Sequence, residues 1–219
     1  MASFSTDADL VKWEPALLRE IVLDHQCLTR GSGASSQTFS VVAEDGCFVT
    51  SLVRPGHIIH LKNVEQGVDG YYEVLSVEDE TELLAGVIGG FGDAWVPLPA
   101  ATDLEFAIHT FDPQHEEARF ALLSRFGLET DAADAATDLE RWILQRRALR
   151  RASVALVLSM LYRGQASGGP ESQGLTRKAE HYARLYEDEA AKARLVLDRD
   201  GDGRPDDLRT LSSHRLRRD

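Results

Sequence analysis

Four aspartates are spaced through the segment 198–206, and glycines between them allow the main chain to turn tightly. Several carboxylates converging within a short flexible loop are the ligands that a hard cation such as Ca²⁺ prefers. On the twelve-position EF-hand pattern, the first three aspartates take positions one, three and five, and Gly203 takes the required glycine position six. The candidate metal ligands are Asp198, Asp200, Asp202, Arg204 (through its main-chain carbonyl) and Asp206.

The loop departs from the EF-hand pattern at its last position. Arg209 stands twelfth, where the pattern requires a glutamate that binds the ion through both carboxylate oxygens. The sequence therefore predicts a weak Ca²⁺ site, closer to the short calcium loops of repeat proteins than to a calcium sensor. The alternative is a polar, aspartate-rich turn that ends the preceding helix and holds no metal.

The other residues suited to chemistry do not form a catalytic pattern. His57 and His60 flank two isoleucines without a third ligand nearby, so we interpret them as structural or surface histidines of a strand. Neither cysteine has a nearby base, no serine lies in a nucleophile-elbow pattern, and the carboxylates are scattered. The sequence therefore predicts a protein that is not an enzyme.

The composition is that of a globular protein with an acidic surface. The 219 residues are 43% hydrophobic and 27% charged, and the formal net charge is -12. This charge argues against a general nucleic-acid binder, although it would keep passing DNA from adhering. No signal peptide and no apolar run of about 20 residues is evident, so no membrane partner is expected. The two distant cysteines predict reduced thiols.

The spacing of apolar residues changes twice along the chain. Residues 10–27 repeat them at helical spacing, and the glycine-rich segment 31–36 is expected to end that helix. Short runs separated by glycine-containing turns then predict strands, and their number and spacing indicate a small antiparallel barrel or roll. The predicted strands are 37–43, 47–52, 57–61, 71–77 and 104–109.

Helical spacing returns at residue 111, which gives the predicted fold class α+β. The predicted helices are 111–126, 137–162 and 175–197. We therefore expect a helical bundle with an inserted small antiparallel β-barrel or roll and an extended C-terminal arm. The predicted domains are an N-terminal helix joining the bundle (1–33), the inserted barrel-like module (34–110), the helical bundle (111–197), and the Asp/Gly loop with the arm (198–219).

Two basic segments are candidates for contacts with other subunits. The first lies on the long helix, where arginines either face solvent or contact an acidic neighbouring subunit; its residues are Arg146, Arg147, Arg150 and Arg151. The second follows Asp207 and is too short and too charged to form a core, so it either orders on a partner or stays disordered. Its candidate docking residues are Leu211, His214, Arg215, Leu216, Arg217 and Arg218.

Several segments of the second half follow one another in a recognisable order. They are RRASVALVLSMLYR (150–163), AEHYARLYE (179–187), ARLVLD (193–198), DGDG (200–203) and an arginine-rich tail. Over residues 111–219 this order resembles the head–tail adaptor (connector, neck) proteins of tailed bacteriophages and related prophage elements. The resemblance lies in the sequence of helices, aspartate–glycine loop and tail.

The resemblance implies a structural virion protein that requires no cofactor. Such proteins form a twelve-fold ring beneath the portal, extend the DNA channel, and present a platform for the next neck or tail terminator protein. The C-terminal arm would insert into the portal, and DNA would pass without specific binding. The ring would be assembled in the host cytoplasm and would lie in the neck of the virion. The β module is larger than in the minimal family pattern, so it is either a peripheral decoration or a contact to capsid or tail.

A second hypothesis needs no ring. In it the chain is a calcium-responsive binding module, whose barrel holds a ligand and whose aspartate loop senses the ion. A calcium-dependent partner in the absence of any ring would favour this hypothesis over the adaptor.

Overall fold

The computed structural model describes residues 3–21, 23–89, 95–128, 143–166, 172–198 and 200–210. The chain divides into two compact units, which we call the barrel unit (residues 6–112) and the helical unit (residues 1–5 and 113–219). The described part contains five α-helices, and six of its strands close into an antiparallel barrel. A mixed fold with a small antiparallel barrel is therefore confirmed. None of the described helices is long and apolar enough to cross a membrane.

Six strands form the barrel, which closes because the last strand pairs with the first. They are β1 (Cys27–Ser35), β2 (Ser40–Val42), β3 (Ile58–Asn63), β4 (Val68–Val77), β5 (Glu82–Val87) and β6 (Ala101–His109). Their order around the barrel is β1-β2-β5-β4-β3-β6, and all neighbours are antiparallel. Closure leaves the barrel without the unpaired sheet edges that promote aggregation.

Strand β6 shows how the sequence specifies the barrel interior. Leu104, Phe106 and Ile108 are buried, whereas Glu105 between them is exposed. This is the period-two pattern of a strand with one face in the core. The predicted strand at 104–109 is therefore confirmed, and its inward side chains join those of the other strands in one apolar cluster.

The prediction of a single helix over residues 10–27 is wrong. The segment instead forms α1 (Asp7–Trp13), α2 (Leu17–Glu20) and a 3₁₀ turn (Asp24–Gln26) before β1 begins. Pro15 explains the first break, because proline disfavours the helical conformation of the residue before it. Accordingly, Glu14 leaves the helical conformation, with φ -130° and ψ 81°.

The glycine-rich segment 31–36, which was expected to end that helix, lies instead largely within β1. Gly31 pairs with Phe106 of β6, and a Cβ atom at Gly31 would stand 3.0 Å from the Phe106 ring. Any other residue would require the Phe106 ring to shift, so glycine permits this close approach of ring and strand. Residues 6–33 consequently belong to the same compact unit as the barrel.

Residues 47–52 do not form the predicted strand but a compact turn. The Ser51 amide donates to the Cys47 carbonyl at 2.8 Å, and the Leu52 amide donates to the Val49 carbonyl at 3.0 Å. The Glu80 carboxylate accepts the Val49 and Thr50 amides, both at 3.1 Å. These bonds satisfy main-chain donors that a strand would have paired with a neighbour.

Three helices and a β-hairpin make up the described helical unit. They are α3 (Asp112–Arg125), α4 (Arg147–Gln165), α5 (Ser172–Lys192), β7 (Arg194–Leu197) and β8 (Asp207–Thr210). The predicted helix 111–126 is confirmed, and Gly127 ends it with φ +67°. The prediction of one helix over 137–162 is wrong at residues 143–146, because Ile143 forms a β-bridge with Leu197 and α4 begins at Arg147. The predicted start at 137 lies outside the described residues.

The last helix was predicted to continue to residue 197, and this is wrong because β7 occupies its end. Leu195 and Leu197 are fully buried, whereas Arg194 is exposed, so the alternation follows a strand. Both leucines pack in a core shared with α3, α4 and α5, which includes Leu122, Leu149 and Ala190. Tyr162 and Tyr182 stack between α4 and α5 with ring centroids 5.9 Å apart.

Candidate calcium loop and C-terminal hairpin

The aspartate loop connects the two strands of a hairpin. Leu197 pairs with Asp207, and Arg194 pairs with Thr210 at the open end. The Asp206 amide donates to the Leu197 carbonyl at 2.8 Å and closes the base of the loop. Since β7 is buried in the core, the loop is held at a fixed place on the helical unit.

Asp198 organises the loop from its buried end. Its two carboxylate oxygens accept the amides of Gly201 at 2.7 Å and Gly203 at 2.8 Å, and the residue is only 3% exposed. Both glycines have positive φ, 77° and 83°, a conformation that favours glycine. The aspartate–glycine spacing is thus explained by main-chain geometry alone, with or without an ion.

Three of the predicted ligands come together. Oxygens of Asp198, Asp200 and Asp206 lie within 4.8 Å of one another. The hydrogen bond from the Asp202 amide lowers the pKa of Asp200, but burial and repulsion by the Asp202 and Asp206 carboxylates outweigh it, so the pKa is raised. A divalent cation would relieve this repulsion, and carboxylate oxygens suit Ca²⁺. Each carboxylate still has lone pairs to offer, so the residues fit such an ion.

The fourth predicted aspartate ligand, Asp202, does not join this cluster. The Asp202 carboxylate accepts the Arg204 amide at 2.7 Å, which is a local turn contact. Arg204, whose main-chain carbonyl is the remaining predicted ligand, is exposed in the same turn. Of the four predicted aspartate ligands, the described loop therefore brings three together.

Arg209, the residue that breaks the EF-hand pattern, has a structural role that the sequence did not reveal. Its guanidinium donates to the carbonyls of Phe126 at 2.7 Å and Gly127 at 2.8 Å. These carbonyls lie at the C-terminal end of α3, where helices leave acceptors unpaired and favour a cation. Arg209 also forms an ion pair with Asp207 at 3.3 Å. It thus fastens β8 to α3.

The predicted arm begins later than the sequence suggested. Residues 208–210 were expected to belong to a mobile tail, but they lie in β8 because they pair with β7. The six predicted docking residues, from Leu211 to Arg218, lie outside the described residues.

The arginine segment lies around the N-terminus of α4. Arg147, Arg150 and Arg151 are exposed, Arg146 is half-buried, and Arg151 approaches Glu189 of α5 at 3.7 Å. Cations in a first helical turn oppose the helix dipole, so helix stability does not explain them.

The two units differ sharply in charge. Residues 6–112 contain 18 Asp and Glu against 5 Lys and Arg, whereas the rest of the chain contains 18 against 19. The barrel unit therefore carries nearly all of the net negative charge. A basic surface on a second copy would be attracted to it.

The histidines of β3 and the preceding turn make structural contacts. The His57 Nδ1 accepts the Arg54 amide at 3.3 Å, and its Nε2 donates to Asp112 at 3.2 Å. His60 contacts Asp69 at 2.7 Å and stacks on Tyr71. Among the described residues, neither histidine belongs to a metal-type cluster.

Asp112 is expected to stabilise the barrel unit in a pH-dependent way. Burial alone would raise the pKa of Asp112, but hydrogen bonds from His57 and Arg54 outweigh it and hold the pKa well below its usual range. Asp112→Asn should lower the free energy of unfolding by about 2 kcal/mol at pH 7, as for other hydrogen bonds to a charged group. Because the folded pKa is depressed, the difference should be constant above about pH 4 and should shrink steadily as the pH falls below that value.

Urea unfolding of the unchanged chain and of Asp112→Asn, measured between pH 3 and pH 7, tests this pH dependence. Asp69→Asn is the matched control, because Asp69 also pairs with a histidine but its side chain is 67% exposed. The control should unfold like the unchanged chain. A difference for Asp112→Asn that is independent of pH would contradict the assignment.

None of the protein-family models, curated proteins or solved structures with which the chain was compared matches it.

Proposed function

We propose that the chain is a structural adaptor of a tailed-phage neck, which docks on the portal, extends the DNA channel and presents a platform for the next neck or tail protein. The observation that carries the proposal is the anchored hairpin. Leu195 and Leu197 bury β7 in the helical core, and Arg209 joins β8 to the end of α3. The basic segment 211–219 follows directly, so it starts from a fixed point on the protein, as a docking arm requires.

In the proposed ring, about twelve copies surround the channel, as the resemblance to phage adaptors implies. The protein is then a helical bundle into which the barrel is inserted. The acidic barrel unit would keep DNA from adhering, so that DNA passes without specific binding. The arginines at the start of α4 would face the acidic barrel unit of a neighbouring copy. The ring would form in the host cytoplasm and remain in the virion neck, with no catalytic role.

Mixing the purified chain with the portal protein of the same genome tests the proposal. Negative-stain electron microscopy should show a ring of added density on one end of the portal. The ring should be absent when either protein is omitted from the mixture or replaced by an unrelated acidic protein. Bare portals at a large excess of the chain would overturn the proposal.

The calcium-responsive binding module is the second candidate function, and two features favour it. The carboxylate triad fits Ca²⁺, and the barrel unit contains a cavity of about 260 Å³ lined mainly by apolar side chains, including Leu18, Ile21 and Phe111. His109 also lines it, and burial lowers the pKa of its imidazole, so it is neutral at pH 7. In this alternative the cavity holds a small ligand and the loop responds to calcium.

Calcium binding at the triad can be separated from general attraction to an acidic loop. Titration calorimetry should give a dissociation constant near 10⁻³ M, as for weak extracellular calcium modules. Asp200→Asn should weaken binding about tenfold or more, because it removes a ligand. Asp202→Asn is the matched control, since it removes the same charge from an exposed residue outside the triad. Equal weakening by both variants, or no heat at millimolar calcium, would show that the loop is a metal-free turn.

A further inference from the structure

The compact turn at residues 47–52, which we call the barrel knob, presents apolar side chains to solvent. Val49 is 52% exposed and Leu52 is 78% exposed. They are three residues apart on one turn, so they can lie side by side. Apolar side chains exposed near one another mark a candidate site for contact with another protein.

The knob is held in one conformation from both sides. Phe48 is fully buried in the barrel core, where its ring lies 5.6 Å from that of Phe106. On the outer side, Glu80 accepts the Val49 and Thr50 amides, both at 3.1 Å. A surface held in this way loses little conformational entropy when it binds.

Leu52 adopts a main-chain conformation that does not suit leucine. Its φ is +57°, in the left-handed region where glycine, asparagine and aspartate are preferred. Its side chain contributes to no apolar core among the described residues. Neither the main chain nor the packing explains a leucine here, whereas a contact with another molecule would.

Carboxylates surround the knob. Glu44 and Asp45, which are exposed, are separated from it by Gly46 alone. Glu80 accepts hydrogen bonds from it, and Asp79 is the neighbour of Glu80 in the chain. Hydrogen bonds from Thr50 and Thr81 hold the pKa values of Glu80 and Asp79 below their usual values, so both remain charged at neutral pH. The surface that complements the knob must therefore be apolar and flanked by cations.

The helical unit offers such a surface on the outward face of its hairpin, which we call the C-terminal stripe (Leu144, Val196 and Leu208). Val196 pairs with Leu208, and the Leu144 amide donates to the Val196 carbonyl at 3.1 Å, so the three lie in one cross-strand row. Leu195 and Leu197 point into the core, and Val196 therefore points outward. Leu144 is 40% exposed and Leu208 is 58% exposed.

Cations lie next to this row. Arg194 is exposed and stands two residues before Val196 on the same face of β7. Arg147 is also exposed, three residues after Leu144. The stripe thus has an apolar centre, with Arg194 at the open end of the hairpin and the aspartate loop at the other end, so only the Arg194 end complements the carboxylates of the knob.

We propose that the barrel knob of one copy docks on the C-terminal stripe of the next copy, with the knob carboxylates towards Arg194. The contact joins two different surfaces, so repeating it generates a ring when the rotation closes. The inference rests on the ring of the proposed function and specifies which surfaces form its subunit contact. Both proteins in the contact are copies of this chain.

Mixed disulfide formation tests the contact without the portal. In a Cys27→Ser, Cys47→Ser background, Leu52→Cys and Leu208→Cys are made in separate full-length chains of different tag size, mixed at high concentration and oxidised. The expected product is the mixed dimer, formed at least tenfold faster than in the pair Val64→Cys with Leu208→Cys. Val64 is the matched control, because it is 76% exposed on another turn of the same barrel.

The outcomes separate the contact from the adaptor function. Equal rates for the two pairs, or a preference of Leu52→Cys for itself, would overturn the knob–stripe contact whether or not the chain binds the portal.

A charge exchange adds an independent measurement. Asp45→Lys and Arg194→Glu should each slow the formation of the mixed disulfide, and the two together should restore its rate. Leu52→Asn should not lower the melting temperature, since asparagine tolerates the left-handed conformation. Failure of the unchanged chain to bind portals would refute the adaptor function alone.

Discussion

Deletion of residues 211–219 is expected to abolish docking on the portal while the remaining chain stays folded. The cut falls after β8, so the pairing of β7 with β8 and the hydrogen bonds of Arg209 to the end of α3 are retained. The melting temperature should therefore change by no more than about 2 °C, as for surface changes that affect stability little. Three arginines and two leucines are lost with the segment. Losing one buried charged contact at an interface typically costs about 2–5 kcal/mol, so the loss of several should reduce affinity at least 1,000-fold.

Co-sedimentation of the chain with intact portals measures this loss. A charge variant separates the contribution of the arginines from that of the leucines and the length of the segment. Replacing Arg215, Arg217 and Arg218 by serine keeps the length and the leucines of the segment. If arginines provide most of the binding, this variant should behave like the deletion, and the unchanged chain should lose affinity steeply with added salt. Full attachment of the shortened chain would refute the arm, and the adaptor proposal would lose its main support.

The barrel could be predicted from the sequence because its strands alternate. In β6 the inward residues Leu104, Phe106 and Ile108 are large and apolar, and the residues between them are not. The turn at 47–52 escaped prediction, because its apolar run also suits a strand and the bond that stabilises it comes from Glu80, about thirty residues away. Period-based reasoning detects neighbours along the chain, not partners that folding brings together.

The hairpin was missed for a related reason. The apolar residues of β7 continue the spacing of α5 closely enough to read as one more helical turn, and only pairing with β8 distinguishes the two. The aspartates of the loop could be recognised by their spacing. Their spacing does not show that Asp202 stays outside the triad. It also does not show that Arg209 donates to the end of α3, because that contact joins residues far apart in the sequence.

Leu195→Ala is expected to have the largest effect on stability. Leu195 is fully buried among side chains of α3, α4 and α5, and truncation of such a leucine leaves a cavity that costs about 3 kcal/mol. Val196→Ala is the matched control for stability, because Val196 is the next residue but points away from the core. It should cost less than about 1 kcal/mol.

Hydrogen exchange is the appropriate measurement, since the barrel unit need not unfold together with the helical unit. The slowest amides of α4 and α5 should exchange about 150-fold faster in Leu195→Ala, which is the factor that corresponds to about 3 kcal/mol. Amides of β3 and β4 lie in the barrel unit, so their exchange rates should not change and they serve as the internal reference. Because β7 also fixes the start of the segment 211–219, the same variant should weaken portal docking at temperatures where most of the chain is still folded. Docking that persists after the hairpin amides have lost protection would mean that the arm does not need its anchor, and the anchored hairpin would then explain stability but not function.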